Sequence, residues 1–159
     1  MLRPLSLAAV LFSTSVYAAT APAPQAGIVK HAAYTVCSAA AGVDMGEIGS
    51  NTSADCTGIV RTRDGAKPLD NLALHCLEEA NARKSGYLFT GYCVETDADG
   101  DKLYLSYEGP ESGPIFVLGG TGKYAHVQGK GQWRVIDAPG NTASLFQFTF
   151  EYEIDLTGE

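Results

Sequence analysis

The sequence lacks most of the patterns that mark a cofactor, a metal site or a membrane span. After residue 19 no apolar run approaches the roughly 20 residues that a membrane-spanning helix needs, so no membrane span is predicted. No CxxC, HExxH or GxSxG motif occurs, which removes the usual signs of a zinc site, a metalloprotease and a serine hydrolase. Basic residues are scarce, with 11 Lys and Arg against 18 Asp and Glu and a net charge of −7. This balance repels polyanions and argues against a nucleic-acid partner.

A cofactor site is not predicted either, although one segment resembles a dinucleotide fingerprint. Residues Gly120 to Ala125 match the relaxed pattern GxGxxA and follow an apolar segment. The sequence HVQGKGQW that comes next is too short and too rich in glycine for the crossover helix that would bind a pyrophosphate. The segment therefore predicts a tight, kinked connection between strands. The three histidines, His31, His75 and His126, are scattered along the chain, so no metal site is predicted.

The acidic segment TDADGDK allows two interpretations. Asp97, Asp99 and Asp101 occupy alternate positions, and Glu108 stands where an EF-hand loop has its bidentate ligand. However, Lys102 stands where that loop requires glycine, and the flanking residues resemble strands. A hairpin turn is the favoured interpretation, because Asp and Gly tolerate the positive φ of such turns. A weak, exposed calcium site is the alternative.

The first residues have the character of an export signal. Arg3 precedes an apolar stretch from residue 5 to 12, and small residues follow at Ala18 and Ala19. This order is typical of a secretory signal peptide, so we predict that residues 1–18 are removed and that the protein is secreted or periplasmic. Residues 19–30 are rich in Ala and Pro and are predicted to be a flexible leader. The remaining residues, 31–159, are predicted to be a single β-barrel domain.

Four cysteines in an exported chain predict two disulfides, for which three connectivities are possible. Cys76 and Cys93 lie in two successive strand-like segments, whereas Cys37 and Cys56 flank a segment of small residues. This spacing favours the pairs Cys37–Cys56 and Cys76–Cys93.

Apolar and polar residues alternate along most of the chain, which predicts strands. The clearest case is SLFQFTFEYEIDL, in which Phe146, Phe148, Phe150 and Tyr152 share one face, an arrangement that a helix would not produce. Residues 39–55 are small and polar and are predicted to be a long loop at the rim of the fold. Eight antiparallel strands in chain order favour a closed up-and-down barrel of the calycin or allene oxide cyclase type, with a two-sheet sandwich as the alternative. The predicted strands are 31–38, 56–63, 72–79, 87–95, 102–108, 114–118, 130–137 and 144–154.

An eight-stranded barrel is either filled by side chains or wide enough for one small ligand. The aromatic stripe of the last strand, with Trp133, is predicted to bind such a ligand at a mouth bordered by the 39–55 loop. A Glu or Tyr that points into this interior is a candidate for acid–base chemistry. If the cysteines face inward, residues of the same parity, such as Glu95, do so too. The ligand-binding candidates are Phe146, Phe148, Phe150, Tyr152 and Trp133, and the catalytic candidates are Glu95, Glu108, Tyr87 and Tyr104.

The order GYC, DADGDK and GGTGKYAHVQGKGQW resembles exported bacterial proteins of the allene oxide cyclase barrel-like group, which is related in architecture to dirigent proteins. The resemblance implies a barrel that binds a small apolar or phenolic molecule and that steers ring closure or coupling without a cofactor. No catalytic residue is assigned through it. The function expected is therefore binding of a small apolar or aromatic ligand, with cofactor-independent isomerisation or cyclisation. The alternative is a non-enzymatic periplasmic interaction module, such as an inhibitor or an envelope partner.

Overall fold

The fold is a closed barrel in which eight antiparallel strands pair in chain order and β1 pairs with β8. The structure is a computed structural model, and it describes residues 24, 26–63, 65, 69–138 and 145–158. The predicted all-β, up-and-down barrel is confirmed, and closure leaves no sheet edge exposed. Two short 3-10 helices lie in the connections between strands: Gly46–Ile48 between the first and second, and Gly122–Tyr124 between the sixth and seventh. The strands are β1 Gly27–Asp44, β2 Gly49–Thr62, β3 Leu72–Arg83, β4 Gly86–Thr96, β5 Lys102–Gly109, β6 Ser112–Gly120, β7 Val127–Asp137 and β8 Leu145–Gly158.

The predicted boundaries are wrong at the start of the barrel. β1 begins at Gly27 and therefore includes four residues of the predicted leader, while residues 1–18 lie outside the described part of the chain. The predicted 39–55 loop is instead a long hairpin, in which Ala41 pairs with Ser53 and Asp44 with Ser50. Backbone hydrogen bonds hold these residues as strands although their side chains are small and polar. The alternation that reveals a strand is weak here because most of this segment lies outside the core.

Both predicted disulfides are present, Cys37–Cys56 and Cys76–Cys93. Each joins directly opposite residues of neighbouring strands, and Cys56 is also opposite Cys76. The four sulfur-bearing side chains therefore form one buried row on the inner wall of β1 to β4. Because the cysteines face inward, every second residue counted from them on β2, β3 and β4 also faces inward, and the same holds on β1 up to the irregularity between Ala39 and Ala41.

The two ends of the barrel differ in how they are filled. We call the end with the β2–β3, β4–β5 and β6–β7 connections the lower mouth, and the opposite end the upper mouth. The lower mouth is closed by Leu69 and Tyr124, which come from two of those connections and are fully buried. Ile154 and Leu156 fill the interior beside them. On β2 and β3 the upper part of the interior is lined by small residues, among them Ala54 and Ala80.

A lysine closes the acidic β4–β5 turn. The backbone N–H groups of Asp99 and Asp101 donate to the Asp97 carboxylate over 2.9 and 3.0 Å, so the predicted hairpin turn is confirmed. The Lys123 ammonium lies 2.6 Å from both the Asp97 and the Asp99 carboxylates. It thus occupies the position that a calcium ion would need. Tyr124, beside it, donates its hydroxyl to Asp97 over 2.9 Å, which ties the kinked β6–β7 connection to this turn.

Candidate functional site

A cavity of about 510 Å³ opens at the upper mouth of the barrel. Its walls are mainly aromatic and come from β4, β7 and β8, while Thr52, Glu78 and Glu111 supply polar groups. The space exists because the inner wall of β3 carries Ala80 at this level. The aromatic residues that line it are Tyr87, Phe89, Trp133, Phe146 and Phe148.

Glu78 and Tyr107 form a hydrogen-bonded pair beside this cavity, and one glycine makes the pair possible. Glu78 on β3, Gly91 on β4 and Tyr107 on β5 stand at the same level of the sheet. A Cβ atom added at Gly91 would come within 2.4 Å of the Tyr107 ring. The ring therefore lies across the bare backbone of β4, and its hydroxyl donates a short hydrogen bond to Glu78 Oε2.

Burial controls the acidity of this pair. Only 3 % of Glu78 is exposed, and desolvation raises the pKa of its carboxyl, although the hydrogen bond from Tyr107 acts in the opposite direction. Burial and the neighbouring carboxylate raise the pKa of Tyr107 well above its usual value, so its phenol stays protonated. Glu78 Oε1 is buried and has no hydrogen-bond partner among the described residues. A carboxyl with one satisfied and one unpartnered oxygen, on a residue that lines the cavity, is suited to exchange a proton with a molecule bound there.

Trp133 joins the pair to the cavity wall. Its ring packs edge-on against Tyr107 with the centroids 5.0 Å apart. Its indole N–H donates to the backbone carbonyl of Glu108 over 3.0 Å, so the ring has its polar atom satisfied and presents an apolar surface to the cavity.

A second carboxyl–phenol pair lies deeper in the barrel. Tyr152 donates a short hydrogen bond to Glu95 Oε1, and the Tyr152 ring packs edge-on against His31 with centroids 4.8 Å apart. Desolvation raises the pKa of Glu95 to about 7, against the opposing effect of the Tyr152 hydrogen bond. Glu95 does not line the upper cavity, so this pair is sealed from the ligand space.

The predicted site residues separate into three groups. Tyr87, Trp133, Phe146 and Phe148 line the cavity, as described above. Phe150 and Tyr152 continue the same stripe below it, with ring centroids 5.8 Å apart, and the candidate Glu95 belongs with them because Tyr152 donates a hydrogen bond to it. The catalytic candidates Tyr104 and Glu108 point to the outer wall, because they alternate with the buried Leu103, Leu105 and Tyr107. Residues 39–55 were predicted to border the cavity. Of this range, the described lining contains only Thr52.

Glu78 and Tyr107 are not among the site residues predicted from the sequence. Glu78 follows Cys76 by two residues and therefore has the parity of an inward-facing cysteine. Tyr107 follows Leu103 and Leu105 at the same two-residue spacing and is therefore also on the inner face. The two-residue spacing from Cys76 indicates that Glu78 faces inward. However, Glu78 is followed by Glu79, and no other local feature distinguishes it from an exposed strand residue. Within the described residues, no group of three or more His, Cys, Asp or Glu is arranged to hold a metal ion.

Comparison with known proteins identifies the fold. No protein-family model matches the chain, and no curated protein does. Among solved structures, the pterocarpan synthase dirigent protein PsPTS1 is similar, with a TM-score of 0.51 and 13 % identity over 84 % of this chain and 97 % of that chain. The fold is dirigent-like. The pterocarpan synthase dirigent protein GePTS1 is also similar, with a TM-score of 0.49 and 9 % identity over 90 % of this chain and 100 % of that one.

The dirigent-like fold confirms one half of the predicted resemblance. The other half, to allene oxide cyclase and to bacterial exported proteins, stays a prediction. At 13 % identity the likeness concerns the barrel and not the chemistry, because one fold serves many functions. No helix in the described part of the chain is long and apolar enough to cross a membrane.

Proposed function

We propose that this protein binds a small, uncharged aromatic molecule with a hydroxyl group in the upper cavity, and that Glu78 exchanges a proton with it. The reaction class would be an isomerisation or a ring closure that needs no cofactor. The observation that carries the proposal is the open Oε1 atom of Glu78, buried beside an aromatic cavity. A buried carboxyl oxygen without a partner is costly, and a ligand hydroxyl would satisfy it.

The cavity walls support an uncharged aromatic ligand. Five aromatic side chains line the space, and they offer ring faces for stacking. The cavity volume of about 510 Å³ lies within the roughly 300–1,000 Å³ range of small-molecule sites. Glu78 and Glu111 are the carboxyl groups among the described residues of the lining, which include no Lys, Arg or His, so a ligand carboxylate would meet like charge and no cation. A phenol or a similar neutral molecule fits these walls better than an acid does.

A set of three matched probes tests the proposal: 4-phenylphenol, biphenyl and biphenyl-4-carboxylate. The three molecules share the biphenyl skeleton and differ at one position, which carries a hydroxyl, a hydrogen or a carboxylate. Thermal shift and calorimetric titration should rank the phenol first and the carboxylate last. A ligand at 100 times its dissociation constant stabilises the fold by about 2.7 kcal/mol. Equal binding of all three probes would contradict the role of Glu78.

Glu78→Gln and Glu79→Gln form the matched pair of variants. Glu78 faces the cavity, whereas its neighbour Glu79 is exposed on the outer wall. Glu78→Gln should lower the ratio of the affinities for the phenol and for biphenyl by about tenfold. This is the effect of one hydrogen bond to a charged or acidic group. Glu79→Gln should leave that preference unchanged. If no probe or wider phenolic library binds, the interaction module becomes the better hypothesis.

We also propose that the protein is exported. The two disulfides support an oxidising compartment, because such bonds persist outside the cytosol. Sequencing of the N-terminus of secreted material should begin at Ala19. A mature chain that retains Met1 would contradict the predicted signal peptide.

A further inference from the structure

Charged side chains are unevenly distributed over the outer wall of the barrel. Several outward side chains of β7 and β8 are charged and paired, and Lys30 of β1 joins them, although β1 also exposes Ile28 and Tyr34. Lys30 lies 3.2 Å from Glu153, and Arg134 lies 2.9 Å from Glu151. These pairs cover the wall with charges of both signs, which favours contact with water.

The opposite wall, at the centre of β4, β5 and β6, carries no ionisable side chain apart from tyrosine. Three of its large apolar residues are well exposed: Tyr92 at 64 %, Leu118 at 57 % and Phe116 at 43 %. Exposed apolar side chains grouped on neighbouring strands can mark an interaction site. We call this surface the uncharged face; its residues are Tyr92, Val94, Tyr104, Ser106, Phe116 and Leu118.

Two charges of opposite sign stand at the ends of the uncharged face. Lys102 begins β5 and Glu108 lies near its end, and both are exposed on the outer wall. Neither side chain forms an ion pair within the part of the chain that the structure describes. At about 3.3 Å per residue the two positions are roughly 20 Å apart along the strand.

We propose that the uncharged face binds a second copy of this chain across a two-fold axis perpendicular to β5. Such an axis stacks β5 of one copy antiparallel on β5 of the other. Lys102 of each copy then faces Glu108 of the other, and Tyr104 faces Ser106. The sequence KLYLSYE thus carries on its outward positions a pattern that complements itself when reversed.

The neighbouring strands agree with this axis. The level midway between Tyr104 and Ser106 continues through Cys93 on β4 and Val117 on β6. Reversal about that level places Tyr92 opposite Val94 of the other copy, and Phe116 opposite Leu118, so apolar groups meet on both neighbouring strands. An axis parallel to the strands would instead bring Lys102 against the other Lys102.

Charge also favours this face over the wall formed by β7 and β8. With a net charge of −7, two copies repel each other, and the repulsion is smallest where no anion is buried in the contact. The face is three strands wide and seven residues long, or roughly 330 Å² of flat area per copy. A standard interface buries about 800 Å² per partner, so we expect a weak dimer that forms only at high protein concentration.

Sedimentation velocity of the mature protein, from about 1 to 500 µM, tests the proposal. The wild type should change from monomer to dimer over this range. Lys102→Glu should weaken the dimer at least about tenfold, because two attractive contacts become repulsive. Lys84→Glu is the matched control, since it changes the net charge equally at an exposed turn and should leave association unchanged.

The charge swap is the decisive variant. Glu108→Lys alone should weaken the dimer as Lys102→Glu does, and the double variant K102E/E108K should restore it to within about threefold of the wild type. Thermal melts verify that each variant is folded. A wild type that stays monomeric at every concentration, a trimer, or a double variant as weak as the single ones would overturn the proposal.

Discussion

The sealed carboxyl of Glu95 makes the stability of this barrel depend on pH, and Glu95→Gln should remove the part of that dependence that Glu95 causes. Only 1 % of Glu95 is exposed, and it stands between Leu74 and Leu103 in the sheet. Tyr152 donates to one of its oxygens, while the other has no partner among the described residues. Glutamine has the same shape and keeps an acceptor for the Tyr152 hydroxyl, so the substitution changes the charge and little else.

The magnitude follows from the difference in pKa between the folded and the unfolded chain. Burial raises the pKa of Glu95 from 4.5 to about 7. Between these values the unfolded chain releases its proton while the folded chain keeps it, so the free energy of unfolding falls as pH rises. Each unit of pKa difference corresponds to about 1.4 kcal/mol, which amounts to about 3 kcal/mol in all. The contribution of the protonated Glu95 carboxyl to the free energy of unfolding is fully present below pH 4.5 and is lost by about pH 8.

Urea unfolding of the wild type and Glu95→Gln at several pH values from about 4 to 8 measures the effect. The two proteins should be about equally stable at pH 4, and the variant should be more stable by about 3 kcal/mol at pH 8. Glu78 also has a raised pKa, so Glu78→Gln is measured in parallel and the difference between wild type and Glu95→Gln isolates one group. If that difference is the same at pH 4 and pH 8, Glu95 is not sealed in the way described.

Three further substitutions test the core and the lower mouth by denaturant unfolding. Phe150→Ala should cost about 3–5 kcal/mol, because the ring is buried in the stripe of β8, whereas Thr149→Ala should cost much less; equal losses would contradict the assigned faces. Replacing Cys76 and Cys93 together by alanine should cost about 2–4 kcal/mol, and an unchanged midpoint would show that this disulfide does not constrain the chain. Lys123→Met should cost about 2 kcal/mol by leaving the Asp97 carboxylate without its cation, and a stabilised variant would contradict the ion pair.

The parts of the fold that were predictable are those where burial alternates strictly along one strand. β8 is the best case, because Phe150, Tyr152 and Ile154 are buried while Glu151 and Glu153 face outward. The disulfides were predictable for a related reason. Cysteines in strands that follow each other in the chain are opposite in an antiparallel barrel, and the register places each pair at the same level.

The parts that were not predictable depend on contacts between distant residues. The β1–β2 hairpin carries small, polar side chains, and only the pairing of two whole strands shows that it is not a loop. The Glu78–Tyr107 pair requires three strands to be in one register, with a glycine in the middle. The two-residue spacing from Cys76 places Glu78 on the inner face. The residues around Glu78 do not indicate its hydrogen-bond partner, Tyr107, which lies 29 residues away.

The two carboxyl–phenol pairs show how the same groups acquire different roles through their surroundings. Glu95 lies between two leucines at a level that the lower core fills, so its proton affects stability and no ligand reaches it. Glu78 stands on the other side of the Cys76–Cys93 disulfide, beside Gly91 and a cavity. Replacing that glycine by alanine would push the Tyr107 ring away from Glu78. We therefore expect Gly91→Ala to weaken binding of 4-phenylphenol without altering the pH dependence that Glu95 sets, which separates the two pairs in one variant. A Gly91→Ala protein that binds the phenol as tightly as the wild type would show that the cavity does not need the Tyr107 hydrogen bond.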